Sequence, residues 1–402
     1  MKKIALLFLT LLISGAPAQA QQALPPGVEE RFIRLEQQIQ TLQQENRQLR
    51  KDLGLDNNPS VGQIVVKPAG KEPNLKVGGL VQGQADFGDK GDNRFSSDND
   101  RFYLRRTRIN ATGSFLEEFD FKVELDLSGT LTETSALRAL LTDAYVNWNK
   151  LTYANIKAGQ FKTPFGYEQL AKDPSLYTIE RTLANDRLTL SRQVGLQING
   201  DFFEKRLSYA SGIFNGNGAN NNFNDDDNFL WVERVSAVPW LGKFLGQDSS
   251  WTVGGNIYAS NDTGASGLND FGLTGNSLNG RRFGTGADTQ FHAGRFDLWL
   301  EYLRGDYTPL NDVPSSQLDA QGGYVQAAYF LIPKKLQPVL KYDFFDPDSG
   351  LDNTNVNTLT TGLNYYIKGD DLKLQFNYLF SDPTGQPNDT QDKFLARVQA
   401  LF

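Results

Sequence analysis

The chain has 402 residues, with 40 Lys and Arg against 47 Asp and Glu, one His and no Cys. The acidic balance argues against nucleic acid as a partner, because that partner requires a basic footprint. Without Cys, disulfides and thiol nucleophiles are excluded, and lone His292 would have to be the base of any hydrolytic triad; with no G-x-S-x-G beside it, neither an enzyme nor a cofactor or metal site is expected.

Residues 1–20, "MKKIALLFLTLLISGAPAQA", carry Lys2 and Lys3, an apolar run from Ile4 to Ile13 and a small-x-small ending at Ala18-Gln19-Ala20. That pattern predicts a secretory signal peptide, and the run is too short for a permanent membrane helix. Residues 24–53 follow with apolar positions that alternate four and three apart: Val28, Phe32, Leu35, Ile39, Leu42, Leu49 and Leu53, with Asn46 completing the series. This is a heptad repeat, and it predicts a short coiled-coil helix. Residues 54–74 hold Gly, Pro and Asn with little periodicity and read as a linker.

From residue 75 to 402 the period changes to two. In "FDFKVELDL" the residues Phe119, Phe121, Val123, Leu125 and Leu127 oppose Asp120, Lys122, Glu124 and Asp126, and "LKLQFNYLF" repeats the pattern from Leu372 to Phe380. About sixteen such segments can be counted, each a half-apolar strand. Short joins alternate with long ones rich in Asn, Asp and Gly, which is the rhythm of an antiparallel up-and-down barrel. A soluble sandwich would alternate too, but nearly every strand here offers an apolar face over some 330 residues without a second pattern. The expectation is therefore an all-β transmembrane, 16-stranded outer-membrane barrel. The last strand, "KFLARVQALF", ends on the aromatic Phe402, similar to the sorting signal of such barrels.

Strict alternation along "RFYLRRTRINATGSF" puts Tyr103, Ile109, Ala111, Gly113 and Phe115 on the lipid side, with Leu104, Arg106, Arg108 and Asn110 toward the lumen. Arg101 and Arg105 then fall on the outer parity, which implies a place near the rim or at a subunit contact, since a midplane arginine facing lipid costs about 2–4 kcal/mol. Lys122, Lys157 and Lys373 share the lumen parity, against Glu124, Asp126 and Asp143. The join 163–191 is too long and too apolar for an external loop: Phe165, Tyr167, Leu170, Leu176, Tyr177, Ile179 and Leu183 give it material to pack inside the barrel and narrow it. Lys162, Arg181, Arg187 and Arg192 would stand near that constriction, where low dielectric focuses their field on a passing anion.

The blocks "YLRRTRINATGSF", "DFKVELDL", "DAYVNW", "IKAGQFKTPFG" and "YTIERTLANDR…RQVGLQING" resemble the phosphate-selective porin O and P family in order and spacing from about Leu75 to Gly200. The resemblance implies a homotrimer of sixteen-stranded barrels in the outer membrane of a Gram-negative bacterium, with an inward-folded third loop and the N-terminal coil in the periplasm. It further implies passive diffusion of inorganic phosphate, polyphosphate or other small anions, in contact with outer-membrane lipid, with Arg106, Arg108, Lys162 and Arg181 lying in the matching blocks; Lys122 and Lys157 join the pore lining by parity alone, and Arg187 and Arg192 by their place beside the loop. The acidic balance and Asp225 to Asp227 depart from an anion-collecting mouth. A general or weakly selective porin, whose coil tethers or stabilises the envelope through cell-wall contact, is the second reading.

Overall fold

The computed structural model describes residues 64–66, 74–89, 100–128, 140–265 apart from 222 and 225, 278–309, 318–383 apart from 353, and 391–402. The signal peptide and the coiled coil lie outside the described residues.

The strands are β1 (Ile64–Val66), β2 (Asn74–Gly88), β3 (Arg101–Phe115), β4 (Phe119–Asp126), β5 (Leu140–Leu151), β6 (Ala154–Lys162), β7 (Arg192–Phe202), β8 (Leu207–Phe214) and β9 (Leu230–Phe244). They continue as β10 (Gln247–Ala265), β11 (Leu278–Ala293), β12 (Phe296–Pro309), β13 (Leu318–Tyr329), β14 (Leu336–Asp346), β15 (Val356–Lys368), β16 (Leu372–Pro383) and β17 (Gln391–Leu401). Each strand from β2 onward pairs antiparallel with the next, and β17 pairs back onto β2 through Lys393↔Gly88 to Leu401↔Leu80. Sixteen strands, β2 to β17, thus close a barrel, and among the described residues that ring has no open edge toward lipid, where unpaired backbone groups would be costly. Within the stretch read as a linker, Ile64–Val66 forms the short β1 and pairs with Leu75 to Val77 of β2.

The two faces of each strand separate as the alternation demands. On β4, Val123 and Leu125 point outward while Glu124 and Asp126 are buried within; on β7, Leu196 and Ile198 face out and Gln197 in. Outward apolar side chains such as these recur on every strand from β3 to β17, an exposed apolar band far larger than a water-soluble chain carries. Tight turns such as Leu116–Glu118, Gly294–Arg295 and Gly369–Asp371 gather at one rim, which in such barrels faces the periplasm.

One seam residue shows how closely the ends meet. The Gly79 and Phe402 backbones exchange two hydrogen bonds, 2.6 and 2.9 Å, and a Cβ on Gly79 would lie 2.7 Å from the Phe402 ring. Glycine admits that approach because it presents no side chain.

Candidate constriction of the pore

The segment between β6 and β7, here L3, folds inward. Its base is closed by the Thr163 N–H donating to Ser191 O at 3.0 Å, and Gly166 turns the chain at φ 80°. L3 contains two short α-helices, α1 (Tyr167–Leu170) and α2 (Leu183–Leu188), with a 3-10 turn, Asp173–Ser175, between them. The Thr182 hydroxyl caps α2 by accepting from Asn185 N at 3.1 Å, which satisfies one of the helix's free donors.

Two kinds of contact hold L3 to the wall. Leu183, Ala184, Leu188 and Leu190 pack with Phe161, Phe165, Phe214, Tyr258, Leu303 and Phe345 in an apolar cluster inside the barrel. Further along, L3 has no regular pairing of its own, so wall side chains supply partners to its backbone. Asn364 donates to Tyr177 O at 2.9 Å, Gln375 to Leu176 O at 3.2 Å, Arg397 to Ile179 O at 2.6 Å and Gln399 to Pro174 O at 3.1 Å, while Asn377 accepts from Ile179 N at 2.6 Å. Lys341 donates to Thr178 Oγ1 at 2.8 Å and Glu180 O at 3.1 Å, and the Glu301 carboxylate accepts from the Tyr167 and Glu168 amides at the start of α1.

Two L3 carboxylates are the charge centres. Asp173 lies 3.4 Å from Arg106, 2.6 Å from Arg181 and in a tight ion pair with Arg108. Burial alone would raise its carboxyl, but Arg106, Arg181 and Arg108 outweigh that and hold it well below the usual carboxylate range. Glu180 is paired with Arg105 at 2.9 Å and Arg397 at 2.7 Å; these guanidiniums likewise overcome its burial and depress it strongly.

Arg105 corrects the strict alternation read from the sequence. A β-bulge sets Gln82 opposite Arg106 and Gly83 opposite Leu104, leaving Arg105 as the extra residue. The phase of β3 therefore flips there. Phe102 and Leu104, 81% and 50% exposed, face outward, so Leu104 is not a lumen residue, and Tyr103, whose hydroxyl accepts from buried Gln84 at 2.7 Å, is not a lipid-side one. Arg105 points inward to Glu180, and Arg101 reaches buried Asp86 at 3.4 Å, so neither stands on the outer face. All four arginines of the cluster serve the interior.

The remaining expected residues separate into three sets. Lys122 and Arg192 converge on Asp143, at 2.6 and 2.8 Å, with Lys122 also 3.1 Å from Glu124. Lys162 donates to Gln169 O and Ala171 O of L3, at 2.6 and 3.1 Å. Lys157 sits over the Tyr145 and Phe161 rings, 4.9 and 5.1 Å from their centres, and Arg187 lies in the last turn of α2. His292 stands at the β11 end, its Nδ1 2.9 Å from Asp297.

Between L3 and the wall from β2 to β7 a cavity of about 460 Å³ is left. Its charged lining is Arg108, Lys122, Lys162, Lys172 and Arg192 on one side of the balance and Glu124, Asp143, Asp173 and Asp371 on the other. A closed barrel, wet inside and narrowed by an ion-paired loop, has the geometry of a diffusion pore. The family model for phosphate-selective porin O and P matches residues 76–402.

The chain belongs to that family.

It is thus an outer-membrane porin. An uncharacterised protein of Aquifex aeolicus (strain VF5) is 25% identical over 399 residues, covering 84% of this chain and 89% of that protein. The fold is shared with the anion-selective porin from Comamonas acidovorans, at 13% identity and TM-score 0.58 over 82% of this chain and all of that one. It is shared too with the trimer form of OmpT from Vibrio cholerae, at 10% identity and TM-score 0.55, covering 83% of this chain and 100% of that one. The porin's L3 anchors Asp173, Glu180, Lys341 and Arg397 were not singled out in the sequence; an isolated acidic or basic residue in an aperiodic loop or mid-strand gives no local sign of its partner.

Proposed function

We propose that this porin passes small anions, inorganic phosphate or polyphosphate among them, by passive diffusion through the gap beside L3. The observation that carries the reading is the lining of that gap, five cationic side chains against four carboxylates. Within it Lys162 donates to backbone carbonyls of L3 and forms no ion pair among the described residues. In a narrow low-dielectric passage such charges raise the local anion concentration, and several weak sites let the ion leave again. Arg106, Arg108, Lys122, Lys157, Arg181, Arg187 and Arg192 set the surrounding field. The family's name and the anion-selective Comamonas relative support the anion reading, and the trimeric OmpT relative supports a homotrimer. Residues 24–53 would serve that assembly as a periplasmic coil, following the signal peptide 1–20 and joined to the barrel 75–402 by the linker 54–74.

The test is the reversal potential of single channels under a potassium chloride gradient. Lys162→Gln combined with Lys172→Gln should move the chloride-to-potassium permeability ratio from above one to about one. An unchanged reversal potential refutes the reading. Because the lining charges nearly balance, a general porin with weak anion preference is the second reading; phosphate that fails to compete with chloride current would favour it.

A further inference from the structure

A second cavity, of about 520 Å³, lies at the tight-turn end of the lumen. Its walls are not like those of the gap beside L3. Trp299 of β12 faces inward and is met by two tyrosines of L3, with ring centres 4.5 Å apart for Tyr177 and 5.2 Å for Tyr167. On the same cavity Phe330 and Tyr366 form another aromatic pair, at 5.4 Å. Contact between Trp299 and the two tyrosines helps seat L3, but pinning a loop does not require that the remaining aromatic surface border an open cavity. It does border one, in a lumen whose wall is otherwise largely Gln, Asn and charged pairs.

The charges of this cavity are uneven. Asp370 is engaged by Lys373 at 3.1 Å, and the Lys373 ammonium lies 5.5 Å from the Tyr366 ring centre. Lys172 and Lys334 also line the cavity, both exposed, and neither makes an ion pair among the described residues. Elsewhere the lumen's cations are largely committed: Arg105, Arg106, Arg108, Arg181, Arg192 and Arg397 all hold carboxylates. Two uncommitted ammonium groups beside flat apolar rings form a recognition site with two halves. Lys172 moreover lines both cavities, so a solute leaving the gap beside L3 meets the aromatic one next.

We infer that this cavity is a binding subsite for organic anions that carry a planar or ring-shaped apolar body, the acid group held by Lys172 and Lys334 and the ring laid against Trp299. A bare inorganic anion has no use for the aromatic half. The volume falls within the range of small-molecule sites, and apolar walls with a few placed charges are their usual make-up. Aromatic pairing adds selectivity beyond simple burial. The inference deepens the anion-porin reading and rests on it.

The experiment compares phenyl phosphate with methyl phosphate, equal in charge, as blockers of chloride current through single channels. In the wild-type porin phenyl phosphate should block at a concentration about tenfold lower than methyl phosphate. Trp299→Leu should bring the ratio of the two blocking concentrations close to one, whereas Trp299→Phe should retain most of it. Lys172→Gln with Lys334→Gln should weaken block by both compounds while preserving their ratio. Equal block by the two compounds in the wild type overturns the inference, as does a ratio that Trp299→Leu leaves intact. Should Trp299→Leu fail to insert, the wild-type ratio and the Trp299→Phe channel still decide. The reversal potential in potassium chloride, read on the same channels, separates this outcome from failure of the anion reading itself.

Discussion

Arg105 of β3 grips Glu180 of L3 with two parallel bonds, Nε to Oε1 at 2.9 Å and Nη2 to Oε2 at 3.0 Å, while Arg397 of β17 holds the same carboxylate at 2.7 Å. One L3 side chain thereby ties together two strands on either side of the closing seam. Forked bonds of this kind fix orientation as well as distance.

Removing the carboxylate should leave two guanidiniums without their partner. Glu180→Gln is expected to destabilise the folded barrel by about 3–5 kcal/mol, the scale for breaking a buried ion pair from one side. Denaturant unfolding in lipid vesicles would measure this, and single-channel records should show noisier current as L3 loosens. A variant within 1 kcal/mol of the wild type contradicts the clasp.

The pH dependence follows from the depressed carboxyls of Glu180 and Asp173. A carboxyl whose folded value lies below its unfolded one contributes stability that is fully present above the unfolded value of about 4, and this is lost as pH falls toward the folded value. The share of L3 anchoring that these two carboxylates contribute should therefore be constant from pH 5 to 8 and fade only in stronger acid, below about pH 4. Glu180→Gln isolates that share: the stability gap between wild type and variant should hold from pH 5 to 8, and a gap that closes near neutrality would refute the assignment.

Asp173→Asn should free charge as well as loosen structure. With Asp173 neutral, Arg106, Arg108 and Arg181 lose a shared counter-charge, and the chloride-to-potassium permeability ratio should rise by a factor of about two or more. Reversal potentials check this, and a falling ratio would show that the three arginines do not act on the passing ion.

Much of the barrel was legible because lipid and water impose opposite demands on alternate residues. "FDFKVELDL" and "LKLQFNYLF" place their faces without any knowledge of neighbours, and the structure keeps both strands where the pattern puts them. The error at Arg101, Tyr103, Leu104 and Arg105 has a local cause, the bulge, and it left a trace: apolar residues sit at even positions, Phe102 and Leu104, and then at odd ones from Ile109 onward. That change of phase marks an inserted residue. The L3 contacts left no such trace. Arg397 and Glu180 are 217 residues apart, and neither segment carries a period that points to the other.

The corrected phase of β3 can be tested in a chain that offers no native thiol. Spin labels on Phe102→Cys and Leu104→Cys should be relaxed by oxygen dissolved in lipid and shielded from a water-soluble nickel chelate. The opposite pattern would restore Leu104 to the lumen. In parallel, Ile109→Arg should cost about 2–4 kcal/mol if it lies near the bilayer midplane, whereas Asn110→Lys on the inner face should be nearly neutral.

The contact of β17 with β2 also bears on how the molecule is made. Gln82 and Gln399 donate and accept across that seam at 2.7 Å from positions 317 residues apart. Until the final strand has been delivered, the first has no mate on that side, and a ring of strands cannot be shut piece by piece. Contacts that distant are slow to find. The nascent polypeptide must accordingly cross an aqueous compartment with its greasy stripes uncovered, so its biogenesis depends on escorts that keep it from clumping before the membrane receives it.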